Sequence, residues 1–385
     1  MIDSLTQRKP AKVQSLDLLK LTLSPQESVD TVNSYFATVG QQLAEGNIKN
    51  TTQQATNTNI ITNTQVISFV IFDTDREEIY SLLMSMKSDS APGYDNIPAH
   101  FLKSAHKEII PILVHLANLC SEQGVFPLAL KQTIITPVYK SGDKFNPSNY
   151  RPVSVISVIA KILEKLINIR LIKFFSKFNI LSTSQFGFRQ NLSTEDAIIA
   201  LTSRTVNHVD YGRKCLAVFL DLKKAFDTVS VPILLQNLNN HGVRGIPLKL
   251  LGDYLSNRKT RVKIGSITSS EATVTYGVPQ GSVLGPTLFL VYINSLCNMQ
   301  IEGGDIFSYA DDTAIVFSAN DWQQLKNRVE TGLVKLGSWL NKNLLTLNLL
   351  KTNYICFTKY NNAQRPDYFN IKLHYCNNHL GLLLS

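Results

Sequence analysis

The sequence predicts an α+β protein whose second half is a split βαβ antiparallel sheet backed by helices. Three observations carry this. Lys214 to Leu220 is a continuous apolar run, of the kind a buried strand shows, and it stops at Asp221. Ile306–Ala310 and Thr313–Phe317 are apolar, aromatic and β-branched on either side of Asp311-Asp312, so they read as two strands joined by a tight turn with the acids at its tip. Trp322, Leu325, Val329, Leu333, Leu336 and Leu340 recur at three-to-four spacing in one long helix, and the strand Tyr354–Phe357 follows. With the helix marked by Ser230, Pro232, Leu234, Leu235 and Leu238 after the first strand, the order is strand, helix, strand, strand, helix, strand. The first and third strands of such a sheet are central neighbours, so Asp221 and Asp311, 90 positions apart, are expected to meet.

The remaining elements are read in chain order. Ser24 to Ala44 reads as an outlying helix: Ser24 and Glu27 form a capping box, Pro25 suits the first helical position, and Val29, Val32, Phe36, Val39 and Leu43 share a face. From Asn47 to Gln65 the composition turns to Asn, Thr and Gln, which cannot build a core, so residues 1–65 are taken as a helix plus polar linker. A strand is expected at Val66–Phe72 and a helix near Glu77–Lys87. The turn Ala91–Pro98 follows, with helical spacing from His100 to Cys120. Gln132–Lys140 reads as a strand entering the loop Ser141–Lys144, and Tyr150–Ser154 precedes a helix with Ile159, Ile162, Leu163 and Leu166 on one face. Residues 66–213 are taken as one region, 214–360 as a second with an inserted segment 240–276, and 361–385 as a tail.

At 385 residues the chain can bury a full core. Its mean hydropathy is near zero and no apolar run approaches about 18 residues, so no membrane span is expected. The start lacks the charged-then-apolar profile of a secretory signal, and five scattered cysteines offer no zinc spacing. An intracellular, reducing compartment is the expectation, nucleus or cytoplasm being undecided. The net charge is +9, and Lys131 to Arg189 holds ten Lys/Arg against Asp143 and Glu164, a local +8. Such a concentration favours a polyanionic partner.

The acids at the hairpin tip carry the chemistry. One Asp in a turn is explained by its own backbone hydrogen bonding, but paired carboxylates on a rigid hairpin suit a hard divalent cation. Three carboxylates converging on one sheet edge repel one another unless a cation sits between them. Two Mg²⁺ ions would serve an in-line phosphoryl displacement, and Mg²⁺ is favoured over zinc because the ligands are all oxygen. Lys140 and Arg151 flank a basic loop that could face a triphosphate; exposed loop cations are the plain alternative. In the inserted segment Thr260–Ile264 and Glu271–Thr275 read as a hairpin leading to Gly277–Pro286, ten residues with three Gly and two Pro around Gln280. The glycines let backbone approach a ligand, and Gln280 offers amide donors and an acceptor.

Leu220–Asp227, Gly277–Pro286 and Tyr309–Asp312 together resemble the three central motifs of reverse transcriptases of the non-LTR retrotransposon (LINE-like, jockey-like) family. Ala91–Pro98, Tyr150–Ser154, Gln185–Arg189 and Leu347–Thr352 resemble further blocks of that family, in family order, so the likeness runs from about Val66 to Thr358. It implies a right-hand polymerase core of fingers and palm, an RNA-directed DNA polymerase adding deoxynucleotides to a DNA primer 3′ end on an RNA template. Asp221, Asp311 and Asp312 would hold two Mg²⁺ ions, with Mn²⁺ as the substitute. Phe226 would be the steric gate against a 2′-hydroxyl. Lys140 and Arg151 would neutralise the triphosphate, and Gln280 with Gly281 would lie against the nucleotide. Lys351 is the candidate proton donor to pyrophosphate. The basic helices would grip the template–primer backbone without reading sequence.

Relatives in that family carry an endonuclease before this region and a helical thumb with a Cys/His-rich tail after it. Here Asn370–Ser385 resembles a shortened form of the hairpin leading into the thumb, and the thumb is expected to be absent. The alternative function is a truncated, catalytically silent nucleic-acid-binding remnant of such a polymerase. Nothing in the sequence sets an oligomeric state.

Overall fold

The computed structural model describes residues 14–49 and 67–357, with the backbone of Ile371–Cys376 and His379–Leu384. After a 3₁₀ turn at Gln14–Lys20 come α1 (Pro25–Lys49), α2 (Arg76–Met84), α3 (Ala99–Ser104), α4 (His106–Gln123), β1 (Gln132–Tyr139), β2 (Tyr150–Ile156), α5 (Val158–Lys177), α6 (Thr194–Asp210), β3 (Lys214–Leu220), α7 (Val231–Asn240) and α8 (Gly245–Leu255). They are followed by β4 (Arg258–Ile264), β5 (Ile267–Thr268), β6 (Ala272–Val274), α9 (Leu284–Cys297), β7 (Gly304–Tyr309), β8 (Asp312–Ala319), α10 (Trp322–Lys342), β9 (Asn353–Phe357), β10 (Ile371–Cys376) and β11 (His379–Leu384). The class is α+β. No helix among the described residues is long and apolar enough to cross a membrane.

Contacts divide the chain into two units, residues 1–40, 68–170 and 243–285 in the first and 41–67, 171–242 and 286–385 in the second. These differ from the stretches marked off by composition: 171–213 joins the unit of β3, and most of the inserted segment joins that of β1.

The first unit is built on a sheet in the order β2-β1-β4-β5, with β6 on β4. β1 pairs antiparallel with β2 and parallel with β4. Its core is Leu18, Val29, Val32 and Phe36 against Ile135, Tyr150, Val262 and Ile264. The helix expected to be outlying is therefore part of a core. Its amphipathic face covers this sheet, and Asn33 fixes it by donating to the Thr260 and Ser270 carbonyls at 3.1 and 2.9 Å. Ser24 caps α1 by accepting from the Glu27 N–H at 3.2 Å. The strand expected at Val66–Phe72 does not form: Val66 lies outside the described residues, and Ile67–Phe72 is irregular, with Val70 and Phe72 exposed. The turn Ala91–Pro98 lies against the start of α5, where a Cβ on Gly93 would stand 2.3 Å from the Ser157 nitrogen, and Asp95 accepts from the Ser157 hydroxyl at 2.5 Å.

The second unit carries the sheet β7-β8-β3-β9, all antiparallel. β3 and β8 are the central pair, as the split βαβ order requires, and both are almost wholly buried. α6 and α10 pack against this sheet. α6 begins at a capping box between Ser193 and Asp196, and Asp321 caps α10 by accepting from the Gln324 N–H at 2.8 Å. α10 buries Leu325, Val329, Leu333, Leu336 and Leu340, while Gly332 lets the helix approach closely: a Cβ there would stand 2.6 Å from the Phe317 ring. Tyr292 ties α9 to its neighbours by donating to the Asn343 carbonyl at 2.5 Å and accepting from the Ser230 N–H at 3.2 Å.

Candidate active site

In the second unit the register of the central pair decides where the carboxylates stand. Leu220 is the last residue of β3 and pairs with Thr313, so Asp221, the next residue, falls beside Asp312, the first of β8. Tyr309 pairs with Asp312 on the other side, which leaves Ala310-Asp311 as a two-residue hairpin loop. All three acids thus gather at one end of the sheet. Ala310 has φ +58°, a left-handed conformation that such loops ordinarily give to glycine.

Asp221 is held from a turn that follows α10. The Asn348 side chain donates to one Asp221 carboxylate oxygen at 2.7 Å, and the Asn348 backbone N–H donates to the Asp221 carbonyl, also at 2.7 Å. Thr352 accepts from the Asp221 N–H at 3.3 Å. Lys351 is exposed in this same turn, its N–H bonded to the Asn348 carbonyl at 3.1 Å.

Burial pushes the Asp312 carboxyl above its ordinary range, and the charges of Asp311 and Asp221 push it the same way. Among the described residues no three His, Cys, Asp or Glu side chains close up into a ligand cage. The donor chemistry nevertheless fits a hard divalent cation: every donor is a carboxylate oxygen, and a positive charge would offset the desolvation and mutual repulsion felt at Asp312.

Phe226 follows Asp221 by five residues. Its ring stacks on Phe289 with centroids 4.3 Å apart and planes 17° from parallel, and Phe188 meets it edge-on at 6.2 Å. Phe188 itself sits at φ +54° and is about half exposed.

In the first unit, Val138 pairs with Arg151 and the Lys140 N–H continues the ladder to the Asn149 carbonyl at 2.9 Å. Lys140 lies two residues beyond Val138, so Lys140 and Arg151 share one face as diagonal neighbours, both exposed. Gln280 and Gly281 lie against β2. The Gln280 carbonyl accepts from the Ser154 N–H at 2.8 Å, and Gly281, at φ +103°, comes so close that a Cβ would stand 2.9 Å from the Ser154 carbonyl oxygen. Glu164, wholly buried on α5, holds the rest of this loop. One of its oxygens accepts from the Tyr254 hydroxyl at 2.9 Å, and the other from the Val283 N–H at 2.7 Å, where α9 begins.

The basic segment is less available than its count of cations suggests. Lys131 is buried against Asp253 at 2.8 Å, Arg170 forks onto Glu78 with two bonds of 2.9 Å, and Arg189 donates to the Ser182 carbonyl at 2.7 Å. Sequence reading attached no chemistry to Asn348, Glu164 or Gln185, because each acts through a bond to a residue distant in the chain. For Gln185 and Asn348 the one signal was membership of a family-like block.

The family described as Reverse transcriptase (RNA-dependent DNA polymerase) matches residues 138–373. The chain is 32% identical over 295 residues to a protein of Drosophila melanogaster named as a probable RNA-directed DNA polymerase from transposon BS, covering 73% of this chain and 32% of the relative. It is 28% identical to the probable RNA-directed DNA polymerase from transposon X-element of the same organism, covering 76% of this chain and 32% of the relative. To the RNA-directed DNA polymerase from mobile element jockey, again of Drosophila melanogaster, it is 26% identical, covering 73% and 31%. The chain spans about a third of the length of these relatives. With three acids gathered at one end of a split βαβ sheet and more than half its length matched, this chain belongs to the reverse transcriptase (RNA-dependent DNA polymerase) family, in the company of enzymes from non-LTR mobile elements.

Proposed function

We propose that this chain is the fingers-and-palm core of a retrotransposon reverse transcriptase, the unit with β3 and β8 serving as palm. It would extend a DNA primer by deoxynucleoside triphosphates on an RNA template. The observation that carries this reading is the β3–β8 register, which sets Asp221 beside Asp312 with Asp311 on the adjoining loop.

In this reading Asp221, Asp311 and Asp312 hold two divalent cations, Mg²⁺ or Mn²⁺. When bound, the cations supply charge stabilisation for in-line displacement at the α-phosphorus. The protein's own groups do the rest. Asn348 holds one oxygen of the Asp221 carboxylate and so fixes its orientation. Lys140 and Arg151 counter the charge of the triphosphate from their shared face. Gln280 and Gly281, stiffened by Ser154 and Glu164, present backbone and amide to the nucleotide. The Phe226 ring, backed by Phe289, takes the space a 2′-hydroxyl would need. Lys351 gives a proton to the departing pyrophosphate.

The test is extension of an oligo-dT primer on poly-rA with Mg²⁺ by the purified chain, against Asp311→Ala. Extension by the chain and none by the variant is expected; equal signal from both would sink the assignment. Template–primer binding without extension at any Mg²⁺ or Mn²⁺ concentration would instead mark a silent binding remnant.

A further inference from the structure

The loop that carries Asp311 is clamped from outside its own hairpin. Ala310, at φ +58°, holds a conformation that a residue with a Cβ rarely adopts unless its surroundings impose it. Gln185, 2% exposed, supplies the constraint. Its Oε1 accepts from the Ala310 N–H at 2.9 Å and its Nε2 donates to the Ala310 carbonyl at 3.2 Å, so one side-chain amide engages both backbone groups of that residue. The same Oε1 accepts from the Gly187 N–H at 2.8 Å, which leaves the amide only one consistent orientation.

The segment around Gln185 is stitched to the hairpin as well. The Ser308 N–H donates to the Ser184 carbonyl and the Phe186 N–H to the Ser308 carbonyl, both at 2.8 Å. Gly187 passes so near that a Cβ would stand 2.2 Å from the Ala310 nitrogen. A glutamine that merely needed burial could satisfy its amide against any strand. This one directs two bonds at the strained residue next to Asp311.

We infer that Gln185 is a positioning residue for the carboxylate loop: its amide imposes the left-handed conformation of Ala310 and thereby sets where Asp311 and Asp312 stand. The inference rests on the metal-binding reading of those two acids. Gln185 touches no reacting atom, and its effect passes through Ala310.

The test uses Gln185→Met, which keeps the buried volume, and Gln185→Ala, each alone and combined with Ala310→Gly, with Asp311→Ala as control. Three readouts apply: hydrogen exchange across residues 309–312, Mn²⁺ binding by water-proton relaxation, and the Mg²⁺ dependence of primer extension. The single Gln185 variants should melt cooperatively and bind template–primer as before. They should lose amide protection at 310 and need about 10- to 100-fold more cation, the range for a lost outer-shell partner. Ala310→Gly should recover part of that loss, because glycine adopts φ +58° without the clamp. Unchanged exchange and cation dependence in folded Gln185→Met would overturn the inference, as would a loss that Ala310→Gly leaves untouched. If Asp311→Ala binds Mn²⁺ as tightly as the unaltered chain, the metal reading itself falls. A cation response in Asp311→Ala with none in Gln185→Met overturns the positioning role alone.

Discussion

Asn348 donates from its side chain to an Asp221 carboxylate oxygen at 2.7 Å, across 127 positions of sequence. The bond fixes the rotation of a carboxylate that stands beside Asp312, so its loss should be felt in turnover more than in template–primer affinity. Asn348→Ala is expected to lower kcat about 10- to 100-fold. Asn348→Asp should be worse, since it replaces a donor by a like charge on Asp221. Steady-state primer extension with circular-dichroism melts checks both; a folded Asn348→Asp with unaltered kcat would remove Asn348 from the site.

Sugar selection should follow the aromatic stack. Phe226→Ala removes the ring that rests on Phe289 and should raise incorporation of UTP relative to dTTP by at least about tenfold in kcat/KM, the scale of discrimination that shape alone provides. Phe188→Ala should shift the same ratio more weakly, because Phe188 meets Phe226 only edge-on at 6.2 Å. If neither variant changes the ratio, the gate lies elsewhere.

What could be read from the sequence depended on whether a residue's partners were implied by a period. The β3 run and the strand-helix-strand-strand-helix-strand order implied the central pairing that sets Asp221 beside Asp312. The amphipathic face of α1 was equally legible, but a period says that a face is covered and not by what. The cover is the β1 and β4 sheet, far along the chain. Ile67–Phe72 has strand composition but pairs with no strand among the described residues, and Val70 and Phe72 stay exposed. Gln185 and Asn348 left no periodic trace, because a single polar side chain bonded to a distant backbone belongs to no repeat. The basic block misled in degree. Counting charges ignores partners, and Lys131 and Arg170 are occupied by Asp253 and Glu78.

Glu164 should be a stability residue before it is a functional one. Burial raises its carboxyl above the ordinary range, opposed by Arg258 and by the Val283, Tyr254 and Leu284 donors. Glu164→Ala would leave the Tyr254 hydroxyl and the Val283 and Leu284 N–H groups without their acceptor, and buried Arg258 without the nearby negative charge. A loss of about 3 kcal/mol is expected, the scale for leaving buried donors unsatisfied. Glu164→Gln keeps a carbonyl acceptor for Val283 and should lose less. Urea unfolding of the two variants measures the difference, and equal losses would mean that filling volume, not accepting hydrogen bonds, is what Glu164 does.

Asp305 should give the chain an acid-side stability slope. Burial works against its charge, but Arg204 grips both carboxylate oxygens at 2.7 and 3.1 Å and His208 approaches at 3.2 Å, so the folded carboxyl titrates below its ordinary value of 3.8. A carboxyl depressed by folding contributes stability that is fully present above its unfolded value, near pH 4, and is lost as pH falls through the lower folded value. Arg204 is nearly half exposed, so solvent and salt screen the pair, and about 1 kcal/mol is the expected contribution at neutral pH. Asp305→Asn should therefore lower the urea midpoint at pH 7, and the gap should close as pH falls through the lowered folded value of Asp305. Raising salt at pH 7 should shrink the gap in the same way. A gap that persists undiminished at low pH would assign the loss to packing against α6 and remove the charge from the account.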